Sequence, residues 1–391
     1  MNYWGDDMLR FLTAGESHGK CLTAIIEGLP SGIEINEEYI NKNLHRRQLG
    51  YGRGGRMKLE TDTVEITAGV RHGKTLGSPV CLVIYNRDYE NWSDVMSISR
   101  NNTMDLKQVT RPRPGHADLA GSIKYQHKDI RNVLERASAR ETAIRTAAGS
   151  VALALLENFG IQVISYVISI GEASLAAHPA ITPEVLRIVE ASPVRCPDKE
   201  AEIRMIKAID TAKAFGDSLG GTFRVVAKDI PTGIGSHVHW DRRLDANLSR
   251  AMMSIPGIKG VEIGAGFGAA KLPGSKIHDG ILYDGSFYRG TNNAGGIEGG
   301  ISNGEDILIT CAMKPIPTLA KPLQSLDIES KEAFPASSER SDVCAVPSAS
   351  IVGEAAAGLE LAASFIDKFG GDSLEELLAN YNNYMAYIRG I

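Results

Sequence analysis

Hydrophobic and polar positions alternate along residues 21–33, CLTAIIEGLPSGI, and the run ends in a Pro-Ser-Gly turn. Alternation of this kind is typical of a β-strand with one buried face. A helical stretch containing NKNLHRRQ follows. The same order returns in residues 222–234, TFRVVAKDIPTGI, which end in a Pro-Thr-Gly turn before DRRLDANLSRAMM. The pattern therefore predicts strand, turn and helix twice, with Leu248 in the place of Leu44.

Two later segments are apolar on nearly every side. ARETAIRTAAGSVALALLENFG stops at Gly160, and VGEAAAGLELAASFIDKFGG stops at Gly370 or its neighbour. Helices that are apolar all round belong in an interior. The pattern predicts an α+β fold, a β-α-β sandwich with internal duplication, in which buried central helices are flanked by antiparallel sheets. We expect a single domain over residues 1–391, with pseudo-repeats at about 9–160 and 218–371.

Composition changes this picture little. Of the 391 residues, 43% are hydrophobic and 23% charged, as in soluble globular proteins. A formal net charge of -5 gives no general attraction to nucleic acid or anionic membrane, so a cationic function must be local. The five cysteines are scattered without a CxxC pair, and no apolar stretch approaches the length of a spanning helix. We expect a cytoplasmic protein with neither nucleic acid nor membrane as a partner.

Arginines and glycines cluster in residues 46–57, RRQLGYGRGGRM, which contain four of each. The glycines let a small anion approach both the guanidinium groups and the main chain. Residues 110–118, TRPRPGHAD, place two arginines and a histidine on a stiff proline backbone. Arg136 and Arg140 are predicted one turn apart near the start of the first apolar helix, where backbone donors favour anions. A phosphate site and an RGG-like RNA-binding loop both fit these residues.

Histidines provide the second chemical signal. His18 lies in TAGESHGK, a glycine-bracketed turn, and an imidazole there suits proton transfer near neutral pH. A histidine that only hydrogen-bonds its own loop fits the pattern equally well. His237 and His239 have no third ligand nearby in the sequence, so no metal site is expected. The chain has neither a G-x-S-x-G elbow nor a Walker A loop.

Together these segments resemble the chorismate synthase family, from the amino terminus to about Glu354. The resemblance rests on eight motifs: GESHG, RRQLGYGRGGRM, GVRHGKTLGSP, RPRPGHADLAGSIKY, RASARET, AGGIEGGISNG, KPIPTLAKP and RSDVCAVP. It implies a carbon-oxygen lyase that eliminates phosphate from 5-enolpyruvylshikimate 3-phosphate in a trans 1,4 sense to give chorismate, the last step of the shikimate pathway to aromatic amino acids. It also implies a requirement for reduced FMN, with NADPH as a candidate reductant, and a homotetramer.

The resemblance also implies roles for individual residues. Substrate or NADPH would be bound by Arg47, Arg53 and Arg56. His18 would be the acid for the departing phosphate, His116 would set protonation near the flavin, and Asp342 would help to move a proton at flavin N5. Reduced FMN would be held by residues from five parts of the chain: Arg136, Ala137, Ser138, Pro256, Gly257, Gly299, Lys314, Pro315, Ile316, Pro317, Thr318 and Arg340.

The chain departs from the family pattern at residues 256–257, and two other classes of protein remain candidates. Many relatives have Asn-Ala where this chain has Pro256 and Gly257, so backbone contacts are expected there in place of side-chain contacts. An RNA-binding protein and a flavin-dependent oxidoreductase are the other candidate classes. The acidic net charge and the lack of stacking aromatics argue against RNA binding. Salt-sensitive RNA affinity would identify the first class, and net reduction of the product the second.

Overall fold

The computed structural model describes residues 9–54, 61–99, 107–336 and 342–391. In chain order the helices of these ranges are α1 (Glu37–Gln48), α2 (Asp118–Tyr125), α3 (Arg131–Ala137), α4 (Thr142–Glu157), α5 (Pro183–Ala191), α6 (Lys199–Ala214), α7 (Leu244–Met253), α8 (Gly274–Ile277), α9 (Val346–Phe369) and α10 (Leu374–Arg389).

The strands of the same ranges, again in chain order, are β1 (Arg10–Ala14), β2 (Cys21–Glu27), β3 (Val64–Ala68), β4 (Val70–Arg71), β5 (Lys74–Thr75), β6 (Val80–Tyr85), β7 (Gln162–Ile170), β8 (Ala173–Ser174), β9 (Gly221–Lys228), β10 (Ile258–Ile263), β11 (Ile281–Tyr283), β12 (Phe287–Arg289), β13 (Ile297–Glu298), β14 (Ile301–Ser302), β15 (Ile307–Met313), β16 (Gln324–Leu326) and β17 (Ala333–Pro335).

Two antiparallel sheets form the outer layers of the molecule. The first has the strand order β1-β2-β6-β3, and the second has the order β10-β15-β9-β7-β8. Between them, α4 packs against α9, with α4 facing β2 and β6 while α9 faces β7 and β9. The predicted sandwich, with buried central helices between antiparallel sheets, is confirmed.

Sequence pattern explains why these layers form. In β6, Val80, Leu82 and Ile84 are fully buried and alternate with less buried residues, as expected for a strand with one face on the core. In α4, 14 of the 16 residues are buried, which matches a helix that is apolar all round. Burial of the apolar faces of both sheets against one helical layer supplies the main stabilising free energy of the fold.

The two central helices cross where small residues permit close approach. A Cβ added to Gly149 of α4 would lie 2.4 Å from the Cβ of Ala355 in α9. A Cβ added to Gly358 would lie 2.7 Å from a methyl carbon of Leu153. Because neither distance leaves room for a methyl group, glycine at both positions sets the separation of the helices.

The duplication extends to single hydrogen bonds. In the first half, the hydroxyl of Thr75 donates to the carbonyl of Pro30 at 2.6 Å and accepts from the N–H of Ile33 at 3.0 Å. In the second half, the hydroxyl of Ser302 donates to the carbonyl of Pro231 at 2.6 Å and accepts from the N–H of Ile234 at 2.8 Å. The strand order β3-β6-β2-β1 also matches β10-β15-β9-β7. The repeat bounds at about 9–160 and 218–371 stay a prediction.

One predicted helix start is displaced. Arg136 lies in the last turn of α3, and Arg140 lies in a short 3-10 turn, residues 139–141, ahead of α4. Ser138 between them has extended angles, φ -63° and ψ 142°, and its hydroxyl accepts from the N–H of Arg140. The expectation that the two arginines lie one turn apart near the start of the apolar helix is therefore wrong for Arg136, because the chain is capped and redirected at Ser138.

Helix α9 also departs from expectation. By length and composition it could cross a membrane, although the sequence pattern predicts no such segment. However, 83% of its most apolar 18-residue window is buried inside the fold. Its hydrophobic surface is covered by α4, α1, α7 and the second sheet, as for the core helix of a globular domain.

Candidate active site

His18 is held by a carboxylate from the other end of the first half. Its side chain is buried, and its ring Nδ1 lies 2.9 Å from both carboxylate oxygens of Glu135 in α3. The main-chain N–H of His18 donates to the same carboxylate at 2.9 Å, and the N–H of Ser17 donates to the Glu135 carbonyl at 3.0 Å. The β1–β2 loop is therefore fastened to α3 at the residue that carries the imidazole.

Glu135 is charged in this setting. Burial alone would raise its pKa, but the hydrogen bonds from His18 and the nearby Arg131 guanidinium, 3.1 Å away, lower that pKa below the usual value. The ring of Trp92 stacks on the His18 ring with centroids 4.0 Å apart. Trp92 lies in the long segment between β6 and α2, which the structure describes except for residues 100–106.

Arg47 and Arg140 share one buried carboxylate. Arg140 Nη1 lies 2.5 Å and Arg47 Nη1 3.3 Å from the two oxygens of Asp62, whose side chain is 1% exposed. Arg47 also donates to the hydroxyl of Thr142 at 2.9 Å. Burial, together with the positive charges of Arg53 and Arg140, lowers the pKa of Arg47 to about 10, although Asp62 raises it. Guanidinium groups outnumber carboxylates around this point, so the cluster favours an anion.

Arg53 and Asp342 join the glycine-rich loop to the segment before α9. Arg53 Nε lies 3.4 Å from a carboxylate oxygen of Asp342, and the N–H of Gly54 donates to the same carboxylate at 2.6 Å. Within the described ranges, Arg53 Nε is buried and lacks a hydrogen bond. Both groups act electrostatically on Arg47: the positive charge of Arg53 lowers the pKa of Arg47, and the negative charge of Asp342 raises it.

His116 has its own carboxylate partner. Its Nδ1 lies 2.5 Å from Asp118, which also accepts from Arg113 Nε at 2.9 Å and from the Arg113 main-chain N–H at 3.0 Å. Burial would raise the pKa of Asp118, but the donors from His116 and Arg113 hold it well below its usual range. The proline-rich loop therefore presents an imidazole whose orientation is fixed by a buried charge.

The Lys314 segment lies against this histidine loop. Lys314 Nζ donates to the carbonyl of Gly115, and the Lys314 main-chain N–H donates to the carbonyl of Gly257 at 2.9 Å. A hollow of about 240 Å³ opens here, lined by Pro114, Gly115, Asp217, Ser218, Lys314, Pro315, Ile316, Pro317, Leu319 and Leu323. Burial, with a smaller effect of Lys259, lowers the pKa of Lys314. Four of the five residues predicted at 314–318 line one hollow beside the His116 loop; Thr318 is buried next to them.

A chain of hydrogen bonds and one ion pair runs from Arg136 to Ser254, two residues before Pro256. Arg136 donates to the carbonyl of Gly15 at 3.1 Å and to the hydroxyl of Thr13 at 2.8 Å. Thr13 donates to Glu141, which pairs with Arg145, and Arg145 reaches Ser254 just before Pro256. The Ser138 hydroxyl lies 3.3 Å from the hydroxyl of Ser17, the residue before His18. Ala137, between Arg136 and Ser138 in the sequence, is the last residue of α3.

Gly299, also predicted to hold the flavin, lies in a hairpin of the second half, away from the segments described above in the sequence. It forms the tip of the β13–β14 hairpin with φ +60°, and the position of an added Cβ has no atom within 4 Å. The hairpin contacts the turn after β9, and the carbonyl of Gly300 accepts from the N–H of Leu244 at the start of α7. Arg56 and Arg340 lie outside the described residues.

Further hydrogen bonds connect the clusters. Asn86 donates to the carbonyls of Glu16 and Gly19 in the His18 loop and accepts from Arg140 Nε at 3.0 Å. On the other side, the hydroxyl of Ser218 donates to Ile316 at 2.7 Å, and the neighbouring Leu219 pairs with Val343. The His18 loop, the arginine cluster and the Lys314 segment are thus linked, with contributions from both halves.

Sequence reasoning missed three members of this site: Glu135, Asp62 and Trp92. Glu135 directly precedes the RASARET motif and lies four residues after Arg131, a spacing that pairs charges on a helix. That spacing could have marked Glu135 as a fixed carboxylate. Asp62 and Trp92 meet their partners only through tertiary packing, and no local pattern signals either.

A second hollow, of about 230 Å³, lies elsewhere. Its lining includes Tyr39, Arg46, Glu157 and Glu354, and none of the residues predicted for substrate or flavin. Arg46 donates to Glu354 at 2.7 Å, while the Tyr39 hydroxyl donates to Glu157 at 2.7 Å. These charges neutralise one another. The hollow beside His116 has a cation, Lys314, and an acidic residue, Asp217, in its lining. Four of the residues predicted to hold the flavin line that hollow, which makes it the better candidate for the site.

Buried guanidinium groups in excess of their carboxylate partners, next to imidazoles fixed by buried carboxylates, are typical of enzymes that bind a small anion and move a proton. The fold and the site together thus define an α+β enzyme for a small anionic substrate. Comparison with known proteins narrows this class.

The family model for chorismate synthase matches residues 9–366. The chorismate synthase of Desulforamulus reducens is 57% identical, covering 98% of this chain and 100% of the relative. The chorismate synthase of Geobacter sulfurreducens is 55% identical over the same shares. A crystal structure of chorismate synthase superposes with a TM-score of 0.80 at 43% identity, covering 98% of this chain and 99% of that one.

The chain belongs to the chorismate synthase family. It is accordingly an enzyme, a carbon-oxygen lyase that acts on a small molecule, and the family implies a requirement for a reduced flavin. The resemblance inferred from the eight motifs is confirmed.

Proposed function

We propose that the chain eliminates phosphate from 5-enolpyruvylshikimate 3-phosphate in a trans 1,4 sense, giving chorismate with the help of reduced FMN. The observation that carries this proposal is the linkage of Arg47, Arg53, His18 and His116 by contacts that cross from one half of the fold to the other. A substrate with one phosphate and two carboxylates needs several guanidinium partners. Each charge-assisted bond contributes roughly 1.5–3 kcal/mol when partly desolvated.

Arg47 and Arg53, with Arg56 beyond the described ranges, are our proposed substrate residues. Two features support them: Arg53 Nε is buried without a hydrogen bond in the described part of the chain, and Arg47 is buried among like charges. An anionic substrate would relieve both conditions, since it supplies acceptors and negative charge. Binding of NADPH at Arg47 and Arg53 would compete for the same groups.

The residues of the Lys314 segment fit a flat anionic cofactor. Prolines supply rigid apolar walls, Lys314 supplies a cation, and Gly299 leaves the backbone open to close approach, whereas a Cβ added to Gly257 would lie 3.1 Å from the Met313 side chain. Bound there by this segment, by residues 136–138 and 256–257, and by Gly299 and Arg340, reduced FMN would supply an electron that assists loss of the allylic phosphate without net oxidation of the substrate.

The remaining steps belong to side chains. His18 would give a proton to the departing phosphate oxygen, and its burial keeps competing water away. His116, fixed by Asp118, would control protonation at the cofactor edge. Asp342, which bridges Arg53 and the glycine-rich loop, would help to move the ring proton.

The proposal also includes a homotetrameric assembly, NADPH as the reductant and a location in the cytoplasm. The β11–β12 hairpin exposes Ile281, Tyr283 and Phe287, each by more than half of its surface, and such an apolar patch supports burial in a homotetramer. All five cysteines are free, which agrees with a reducing cytoplasm. NADPH is our candidate for the ultimate reductant, used by this chain or by a separate reductase.

The decisive experiment is anaerobic incubation with chemically reduced FMN and 5-enolpyruvylshikimate 3-phosphate, following phosphate and chorismate together. We expect equal amounts of both products and no net flavin oxidation. Net reduction of the product would favour an oxidoreductase, and salt-sensitive RNA affinity without chorismate would favour the RNA-binding alternative. His18→Ala and His116→Ala should each slow turnover by about 100-fold or more. Near-normal turnover would contradict the assigned roles.

A further inference from the structure

We propose that Glu135 is a positioning residue for His18, and that its carboxylate fixes the orientation and the proton arrangement of the imidazole for phosphate departure. The inference rests on the proposed role of His18 as the acid. It goes further by assigning a second residue, 117 positions away in the sequence, to the same step.

The geometry determines which ring nitrogen can act. A carboxylate accepts hydrogen bonds and donates none when ionised. Because both Glu135 oxygens lie 2.9 Å from Nδ1 of His18, Nδ1 must carry a hydrogen and donate to them. The proton available for transfer is then the one on Nε2. The carboxylate thereby selects one tautomer of the neutral ring and stabilises the protonated ring.

Glu135 is suited to this task because it is buried and saturated with donors. Its side chain is 2% exposed, and that of His18 is 10% exposed. The same carboxylate accepts from the His18 main-chain N–H at 2.9 Å and from Arg131 at 3.1 Å. These extra donors keep the carboxylate ionised and prevent its rotation, so the ring it holds is also fixed.

Other groups pack around the pair. The Trp92 ring stacks on the imidazole at 4.0 Å, and two cations lie over that ring, Lys107 Nζ at 4.0 Å and Arg131 at 5.0 Å from its centroid. Arg136 holds the Gly15 carbonyl of the same loop, and Glu16 in that loop is exposed. Since the surrounding charges are mainly positive, the Glu135 carboxylate is the group that favours a proton on His18.

The proton on Nε2 of the imidazolium passes to the departing phosphate oxygen as the carbon-oxygen bond breaks, and the electron pair of that bond leaves with the phosphate. The electron pair of the ring C–H bond forms the new double bond when the ring proton is lost. Neutral imidazole remains, with Nδ1–H still donating to Glu135. The imidazolium is restored by a proton from solvent before the next turnover.

Glu135→Gln tests the assignment, since it keeps the shape and removes the charge. We expect kcat to fall by about 100-fold with little change in KM, and the alkaline limb of the pH–rate profile to move to lower pH. Glu135→Asp keeps the charge, so it should retain a profile close to that of the parent enzyme while losing about tenfold in kcat. Glu90→Gln, an exposed change near Trp92, is the matched control and should alter neither quantity.

A second readout does not require turnover. With Trp4→Phe and Trp240→Phe in the background, Trp92 is the only tryptophan, and its emission depends on the ring that is stacked on it. In Glu135→Gln the imidazole loses the charge that orients it, so the intensity of Trp92 emission at one fixed neutral pH should differ from that of the parent enzyme. If folded Glu135→Gln has the parent pH–rate profile and the parent Trp92 emission, the assignment is overturned. Failure of the parent enzyme to form chorismate would instead refute the proposed function and leave the difference in Trp92 emission intact.

Discussion

Arg47 lies 3.3 Å from a carboxylate oxygen of Asp62, and both side chains are buried almost completely. The other oxygen of Asp62 binds Arg140. One carboxylate thus compensates two guanidinium groups, and the excess positive charge is available to a substrate anion. The relationship explains how arginines can be kept in a buried site before any ligand arrives.

Asp62→Asn should show that the two buried arginines depend on the Asp62 charge for the stability of the fold. With the negative charge removed, Arg47 and Arg140 repel each other in a buried setting, so we expect the free energy of unfolding to fall by about 3 kcal/mol. Inorganic phosphate should restore part of the loss, because it binds the folded form and supplies the missing charge. Urea unfolding with and without phosphate measures both effects.

Glu34→Gln is the control for that change. Glu34 pairs with Lys74 at 3.9 Å on the surface, so its loss should cost less than about 1 kcal/mol and should not respond to phosphate. Equal effects of the two substitutions would contradict the role of Asp62.

Glu190 should make the free energy of unfolding fall as the pH is lowered below 4.5. Burial would raise its pKa, but Arg46 and Arg195 lower that pKa to about 2 from an ordinary 4.5. A lowered pKa in the folded state means that the stabilisation is complete above pH 4.5 and is lost as the pH falls towards 2. Because the side chain is 44% exposed, we expect a contribution of only about 1 kcal/mol.

Urea unfolding of the parent and of Glu190→Gln tests this expectation. The variant should be less stable at neutral pH, and the difference should narrow by about half near pH 3. Glu184→Gln, an exposed change on the same helix, should show no such narrowing. A difference that stays constant over this interval would sink the prediction.

Gly149→Ala should destabilise the fold through the central layer. An added methyl would meet Ala355 at 2.4 Å, and neither helix can move without disturbing its sheet. We expect a loss of about 1–3 kcal/mol in the free energy of unfolding. Gly268→Ala is the control, since its added Cβ has no atom within 4 Å, and it should be nearly neutral. If both variants lost a similar free energy of unfolding, the close contact between α4 and α9 at Gly149 could not be the cause.

Lys314→Met should weaken cofactor binding. The substitution keeps an apolar chain of similar length and removes the cation from the hollow beside His116. We expect about a tenfold lower affinity for oxidised FMN, measured by quenching of flavin fluorescence. Lys321→Met, at an exposed position, should leave the affinity unchanged. Unaltered binding by the Lys314 variant would place the cofactor elsewhere.

Much of the fold could be predicted because its signals are local. The alternation in β2 and β9, the proline-glycine turns after them and the two apolar helices each occupy a short window of sequence. Such windows suffice to assign elements and their burial. The break at Ser138 was missed because capping by one hydroxyl, and not the apolar periodicity, decides where α4 begins.

The site was predictable only in part. Glycine-bracketed His18 and the arginine loop are visible in the sequence as chemistry without an obvious structural use. Their partners are not visible, because the contact between His18 and Glu135 and the contact between Arg140 and Asp62 exist only after the chain folds. The spacing of Arg131 and Glu135 indicates a charged pair on a helix, but nothing in the sequence shows that the carboxylate orients His18.

The matching bonds of Thr75 and Ser302 carry a consequence for ancestry. Two copies of one supersecondary unit face each other, yet His18 and Arg47 come from the first copy and Lys314 and Asp342 from the second. If the two copies descend from one ancestor of half this length, that ancestor would have needed to form a symmetric dimer to enclose such a hollow, and the dimer would have had two of them. Joining the two copies in one chain would leave one hollow free to change, so that each copy could specialise in a different part of a single reaction.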